Sequence, residues 1–171
     1  MTRRCWGAFK EVSSNIGKKI SANPKMMQSK HFSGGLKTLV MKEQELVALV
    51  VDDEPDMCWA LEQILQGEGF GAHKAYTAEA ALDTLKNTSH QLVFLDIKLP
   101  DIDGLELARQ IKATYPSLPV ITISGYYYSD DPAIQKGLEE KVFVGFISKP
   151  FEINEIRNLI HRVIPKIIHP E

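Results

Sequence analysis

Five short segments, four of them apolar runs and one (residues 71–75, GAHKA) mixed, each followed by a stretch of helical periodicity, decide what this chain can become. The first reads LVALVV over Leu46–Val51, and the others cover residues 71–75, 91–95, 120–124 and 142–147. Runs of five or six such residues are too short for a helix and suit strands buried on both faces. Between them the period changes to that of a helix. Pro55 stands where a first helical turn tolerates it and opens a helix over residues 55–66. Thr77 is placed to cap a second helix with Ala80, Ala81, Leu82 and Leu85 inside. Asp103 does the same for a third, over residues 103–114, with Leu105, Leu107, Ala108 and Ile111 as its apolar stripe. Residues 130–138 predict a short fourth helix, and residues 152–163 an amphipathic fifth stopped by Pro165. Five strand–helix units in roughly 120 residues predict an α/β fold, a parallel sheet wrapped by helices on both sides.

What precedes the first strand differs in kind. Residues 1–45 carry a formal charge of +6, and residues 46–171 a charge of −8. Residues 1–40 lack a sustained period and are broken by Pro24 and Gly34-Gly35. An organelle-targeting leader, a basic arm and a non-native extension all fit that composition. We read it as a disordered or non-native leader, with a functional basic arm second. Residues 45–165 then form one domain and residues 166–171 a short tail. No apolar run approaches ~20 residues, so no membrane span is expected. Cys5 and Cys58 give no disulfide or metal-ligand spacing, and there is no secretory leader, so the expected location is cytoplasmic. The acidic body argues against a large nucleic-acid surface on the folded part.

In open α/β sheets, ligands and chemistry collect at the carboxyl ends of the strands. Here the first strand ends in Asp52-Asp53-Glu54 and the third in Asp96, followed by the turn Leu99-Pro100-Asp101. The fourth ends in Ser124-Gly125 and the fifth leads to Lys149. If the first and third strands are neighbours, Asp52, Asp53 and Asp96 share a crevice. Three carboxylates there repel and raise one another's pKa unless a cation enters. Mg²⁺ suits a site offering a few carboxylates, a carbonyl and water. Each residue alone reads as a turn, a cap or a surface charge; two acids, an acid, a hydroxyl and an ammonium on one rim read as a reactive site. Cys58 and Trp59 read as core or partly exposed positions on the first helix. His31, His73, His90, His161 and His169 are scattered without ligand spacing, and none reads as catalytic.

Asp52-Asp53-Glu54, Asp96 within LDIKLPDIDG, Ser124-Gly125 and Lys149-Pro150-Phe151 resemble, in order and spacing, the receiver domain of two-component response regulators. The resemblance covers residues 45–165. It implies a flavodoxin-like, doubly wound five-stranded parallel sheet in the order 2-1-3-4-5 with five helices, serving signalling and not acting as an enzyme. Asp96 would accept a phosphoryl group from a sensor histidine kinase or a phosphotransfer protein, forming an acyl phosphate. Asp53, Asp96 and the backbone carbonyl of Lys98 would ligate Mg²⁺, and Asp52 would hold metal-bound water. Lys149 would pair with Asp96 or the phosphoryl oxygens, and Ser124 would hydrogen-bond them. The Lys149–Pro150 bond is implied to be cis. Ser124, drawn toward the phosphoryl group, would vacate space for Phe146 and shift the face of fourth helix, fifth strand and fifth helix. That face would bind an unknown downstream protein target and offers a dimer contact. No output domain is expected in this chain.

The sequence departs from the family pattern after Gly125. Tyr126-Tyr127-Tyr128 is unusually aromatic, and residues 130–144 are longer and more charged than a typical fourth helix with its loop. The tyrosines read as a partner-binding patch ahead of a hood over the phosphoryl group. Tyr126 and Lys98 occupy positions that in the family tune acyl-phosphate lifetime, and the bulk of Tyr126 implies slow self-dephosphorylation, over more than minutes. Two other classes are weighed. A metal-dependent phosphohydrolase resembling the haloacid-dehalogenase group wants an aspartate where Lys98 stands. A receiver-like scaffold that is never phosphorylated has no need of Asp52-Asp53 together with Lys149.

Overall fold

The computed structural model describes residues 46–168. Its elements run β1 (Leu46–Val51), α1 (Pro55–Gly67), β2 (Phe70–Ala75), α2 (Ala78–Asn87), β3 (Leu92–Asp96), α3 (Gly104–Thr114), β4 (Val120–Ser124), α4 (Pro132–Glu139), β5 (Gly145–Ser148) and α5 (Ile153–Ile168). The strands form one parallel sheet in the order β2-β1-β3-β4-β5. The leader, residues 1–44, lies outside the described residues.

Helices on both faces explain why the strand runs carry almost no polar residue: every residue of β3 and β4 is buried. Alternate side chains divide into two cores. Leu49, Val51, Val93 and Leu95 meet Ala81 of α2, Leu107 and Ile111 of α3, and Ile134 of α4. Ala48, Val50, Phe94 and Ile121 meet Leu61 and Leu65 of α1 and Ile156 and Ile160 of α5. The register sets Val51 beside Leu95 and Asp96 beside Ile123, so β1, β3 and β4 reach the same rim together. The expected caps are in place. Thr77 Oγ1 accepts from Ala80 N at 3.1 Å, and Asp103 Oδ1 from Leu105 N at 2.8 Å.

Two expectations are corrected. The fifth strand is shorter than residues 142–147 because α4 ends in a turn that consumes the preceding backbone. Lys141 takes a left-handed φ of 55°, its N–H donates to Leu138 O, and Val142 N–H donates to Gly137 O at 2.9 Å. Val142 N–H is therefore spent on α4, and the ladder to β4 begins with Val144 N–H donating to Val120 O at 2.8 Å. Phe143 instead turns into the core against Gly137, where an added Cβ would overlap its ring. The fifth helix does not stop at Pro165 but carries it inside, through Ile168. Pro165 sits in the last turns, where the missing N–H removes one bond to the carbonyl four residues earlier and little follows to be broken. Among the described residues, no helix is long and apolar enough to cross a membrane.

Candidate phosphoacceptor site

Asp52 follows β1 directly and is held there by donating its N–H to Ala75 O at 3.1 Å. Its side chain is 1 % exposed, and both oxygens are used: Oδ1 accepts from Glu54 N at 2.9 Å, and Oδ2 from Lys149 Nζ at 2.9 Å. Asp53, the next residue, faces solvent. Asp96 closes β3 and is buried. Its Oδ2 lies 3.4 Å from Lys149 Nζ, while its Oδ1 is buried without a hydrogen-bond partner. One ligand oxygen from each of Asp52, Asp53 and Asp96 lies within 4.8 Å of the others. The fold thus brings together the acids and the lysine that the sequence singled out.

The electrostatics follow from burial. Removal from water pushes the Asp96 carboxyl up to about 6; the Lys149 ammonium opposes that rise, and the Asp52 charge adds to it. Lys149 loses hydration too, which pulls its pKa down, but Asp52 and Asp96 more than offset this and hold it above the ordinary lysine value. A partly buried ammonium between two carboxylates leaves a net negative pocket with one unsatisfied oxygen. That oxygen, the exposed Asp53 carboxylate and the hard donor set fit a divalent cation such as Mg²⁺. Cys58 donates its Sγ–H to Asp52 O at 3.3 Å, and burial followed by the Asp52 charge pushes the thiol up to about 11. It is a packing residue. Trp59 beside it is half exposed.

The loop after Asp96 is clamped at three points. Lys98 and Asp103 form an antiparallel bridge, and Gly104 N–H donates to Ile97 O at 2.7 Å. Gly104 lies so close that an added Cβ would stand 2.6 Å from Ile97 Cα and closer still to the Asp96 carbonyl oxygen. Asp101 then reaches across to α2, each carboxylate oxygen accepting at 3.0 Å from Ala78 N and Glu79 N. Those bonds hold its pKa below the ordinary aspartate value. Sequence reasoning missed this second cap.

Ser124 is fully buried; its Oγ accepts from Tyr126 N at 3.1 Å, and its carbonyl accepts from Lys149 N. The hydroxyl proton is left free to donate. The Lys149–Pro150 bond is cis, as the resemblance implied. Phe146 lies opposite Thr122 in the register and half-buried, lining a cleft of about 270 Å³ with Ser129, Glu155, Leu159 and Arg162. The tyrosine run is split. Tyr126 and Tyr128 are exposed, Tyr127 packs on the core, and Tyr126 OH accepts from Lys98 Nζ at 2.8 Å, with the ammonium 4.1 Å from its ring centre.

Residues 48–161 match the family model of the response regulator receiver domain. The chain belongs to that family. Its receiver domain is 34 % identical over 121 residues to the DNA-binding transcriptional regulator NtrC of Klebsiella pneumoniae, covering 71 % of this chain and 25 % of that one. It is 32 % identical over 117 residues to the sporulation initiation phosphotransferase F of Bacillus subtilis, covering 68 % and 92 %. The crystal structure of the receiver domain of NtrX from Brucella abortus superposes with a TM-score of 0.63 at 34 % identity, covering 69 % of this chain and 98 % of that one. This chain therefore spans about a quarter of the length of its NtrC relatives and nearly all of the phosphotransferase. The match places the receiver domain among the signalling proteins of two-component systems, and its fold is that of solved receiver domains.

The histidines are less scattered than the sequence suggested. His161 Nε2 lies 2.6 Å from Glu68 Oε2, and His73 Nδ1 lies 2.9 Å from His90 Nε2. Neither pair adjoins the residues named for the acidic rim.

Proposed function

We propose that this receiver domain is a phosphoacceptor in a two-component phosphorelay and that Asp96 is the residue phosphorylated. The observation that carries the reading is the buried, unpartnered Oδ1 of Asp96 beside the Lys149 ammonium and the Asp53 carboxylate. A carboxylate with one oxygen left open in a cation-binding pocket is a usable nucleophile, and the donor of its phosphoryl group is a histidine kinase or phosphotransfer protein. Asp53, Asp96 and the Lys98 carbonyl would hold Mg²⁺, which would supply positive charge against the phosphoryl oxygens. Asp52, with both oxygens engaged, suits the outer role of positioning Lys149 and metal-bound water.

The protein's own groups do the rest. Lys149 offers a fixed ammonium to charge that builds on the equatorial oxygens, and Ser124 offers its free hydroxyl proton to one of them. The new acyl phosphate adds about −1.5 to −2 units of charge where only Asp96 stood. Ser124 moving toward it loosens the packing beside Phe146, whose ring already borders the cleft between β5 and α5. The α4-β5-α5 face, shifted in this way, controls binding of a downstream protein and offers a dimer contact. Lys98 and Tyr126, joined to each other across the loops after β3 and β4, slow the approach of water, so the acyl phosphate lasts longer than minutes.

The test is incubation with acetyl phosphate and Mg²⁺, read by intact mass. One stable adduct, absent in Asp96→Asn, is the expected result. Many turnovers of substrate would instead make the chain a phosphohydrolase, and no adduct would make it a scaffold.

A further inference from the structure

The contact between His73 and His90 lies away from the acidic rim. His73 is exposed in the middle of the edge strand β2; His90 is half-buried in the turn between α2 and β3, at the end of β3 opposite Asp96. Their rings meet edge to face at 77°, with centres 5.0 Å apart. His90 Nδ1 lies 3.1 Å from Thr88 O. A carbonyl can only accept, so that nitrogen carries the ring proton and Nε2 keeps its lone pair. His73 Nδ1, 2.9 Å away, points a proton at that lone pair.

His90 thus has one ring nitrogen fixed by a backbone carbonyl, as metal-ligating histidines do, and a lone pair on the other that is held only by the exposed His73 ring. The 2.9 Å spacing is that of a hydrogen bond, and with ring centres 5.0 Å apart the two nitrogens face each other nearly head-on. Ligation therefore requires the exposed His73 ring to turn until both lone pairs meet at one ion. Among the divalent ions that imidazole suits, Cu(II) binds most tightly, with Ni(II) next to it in the series, and both favour tetragonal sites. We propose that His73 Nδ1 and His90 Nε2 form a two-imidazole site for a tetragonal divalent transition metal, Cu(II) or Ni(II), with water in the remaining positions. On binding, the His73 proton shifts to its Nε2, so both rings stay neutral and no proton is lost. Burial and the neighbouring His73 hold the His90 pKa below the ordinary histidine value, which keeps its ring neutral and ready to ligate. A bound ion would clip the edge strand β2 to the turn that feeds β3.

The experiment titrates Cu(II) into the full chain with Mg²⁺ in excess to fill the acidic rim. Calorimetry gives the affinity, and electron paramagnetic resonance counts the nitrogen ligands. One equivalent with a two-nitrogen signature is expected. His73→Ala and His90→Ala should each lower the affinity about ten-fold or more. The same loss is expected in His73→Gln and His90→Gln, which keep a polar side chain of similar size but lack the imidazole. Phosphorylation of Asp96 by acetyl phosphate should be unchanged in all four. Copper bound as tightly by the variants as by the parent chain, or no stoichiometric binding, would overturn the proposal.

Discussion

The two halves of the reactive rim are built on different plans. On the side of β1, β3 and the loop to Gly104, the polar groups around the Asp53 carboxylate and the open Asp96 Oδ1 are committed. Asp52 uses both oxygens, Asp101 uses both, Asp103 caps α3, and Gly104 lies against the Asp96 backbone. Beyond Ser124 the commitments thin out. Tyr126 and Tyr128 stand in solvent, α4 has only 8 residues, and Phe146 is half covered beside a cleft. The first half fixes positions of charge, as transition-state stabilisation requires. The second keeps room to repack, as a two-state element requires. If that contrast is right, substitutions in the first half act on chemistry and folding, and those in the second on lifetime and fine stability.

The largest effect belongs to Asp96→Asn, which removes the proposed phosphoryl acceptor and should abolish the mass adduct. The same change should stabilise the metal-free protein. The Asp96 carboxyl is raised from 3.8 to about 6 by burial, so the folded state holds a proton more tightly than the unfolded chain does. Its favourable contribution is complete below pH 3.8 and is lost as pH rises through about 6. At pH 7 in a chelator, the ionised carboxylate costs about 2–3 kcal/mol, and Asn at this position relieves most of it. Lys149 is not stranded, because Asp52 still holds it at 2.9 Å. Urea unfolding in chelator at pH 7 checks this, and an Asn variant less stable than its parent would contradict the burial account.

Gly104→Ala comes next. Backbone atoms of Asp96 and Ile97 bound the space on one side and cannot swing away, so about 3 kcal/mol or more of stability should be lost. Gly125→Ala is the control on the same rim. Its added Cβ would meet Lys149 Cβ at 3.7 Å, an ordinary contact, and should cost less than about 1 kcal/mol. Equal losses at the two glycines would erase the distinction between a clamped half and a roomier one.

The residues of the rim itself were the more legible. Asp52, Asp53, Asp96, Ser124 and Lys149 each follow an apolar run that can only be a buried strand, and parallel pairing then leaves them one rim to share. Thr77 and Asp103 cap helices that begin within a few residues of them, so local pattern suffices. Asp101 was missed because its partners are 23 and 22 residues away, a contact made by topology and not by local chemistry. His73 and His90 were missed for the same reason, one sitting on an edge strand and the other in a turn. The start of β5 and the end of α5 were misjudged because apolar residues and Pro165 mark those boundaries ambiguously. Val142–Val144 look like strand in composition, yet backbone bonds to α4 claim part of that segment first.

In the roomier half, Tyr126→Ala should shorten the life of the acyl phosphate several-fold without changing how fast it forms. The ring and Lys98 are joined by a hydrogen bond and an ammonium–ring contact, and together they bridge the loops after β3 and β4. Tyr126→Phe separates the two contributions. It keeps bulk and ring but loses the hydroxyl, so an intermediate lifetime is expected. The decay of the intact-mass adduct after removal of acetyl phosphate gives each rate, and identical decay in all three proteins would remove Tyr126 from the account of lifetime.

The smallest effect lies where α4 ends. Lys141 stands at the position of a helix-terminating turn that glycine usually fills, at a φ of 55°. A residue with a Cβ in that region is strained by about 1–2 kcal/mol, whereas glycine is not. Glycine also loses more freedom on folding, by roughly 0.5–1 kcal/mol, which offsets part of the gain. Lys141→Gly should therefore stabilise the protein by about 0.5–1 kcal/mol, measured by urea or thermal unfolding. It keeps both backbone bonds of the turn, from Lys141 N to Leu138 O and from Val142 N to Gly137 O. Because the turn sets where β5 can begin, the same variant should narrow the conformations open to Val142–Val144. Slower amide exchange at Val144 would confirm that the strain there loosens α4 in the parent chain, while unchanged exchange with raised stability would confine the effect to Lys141 itself.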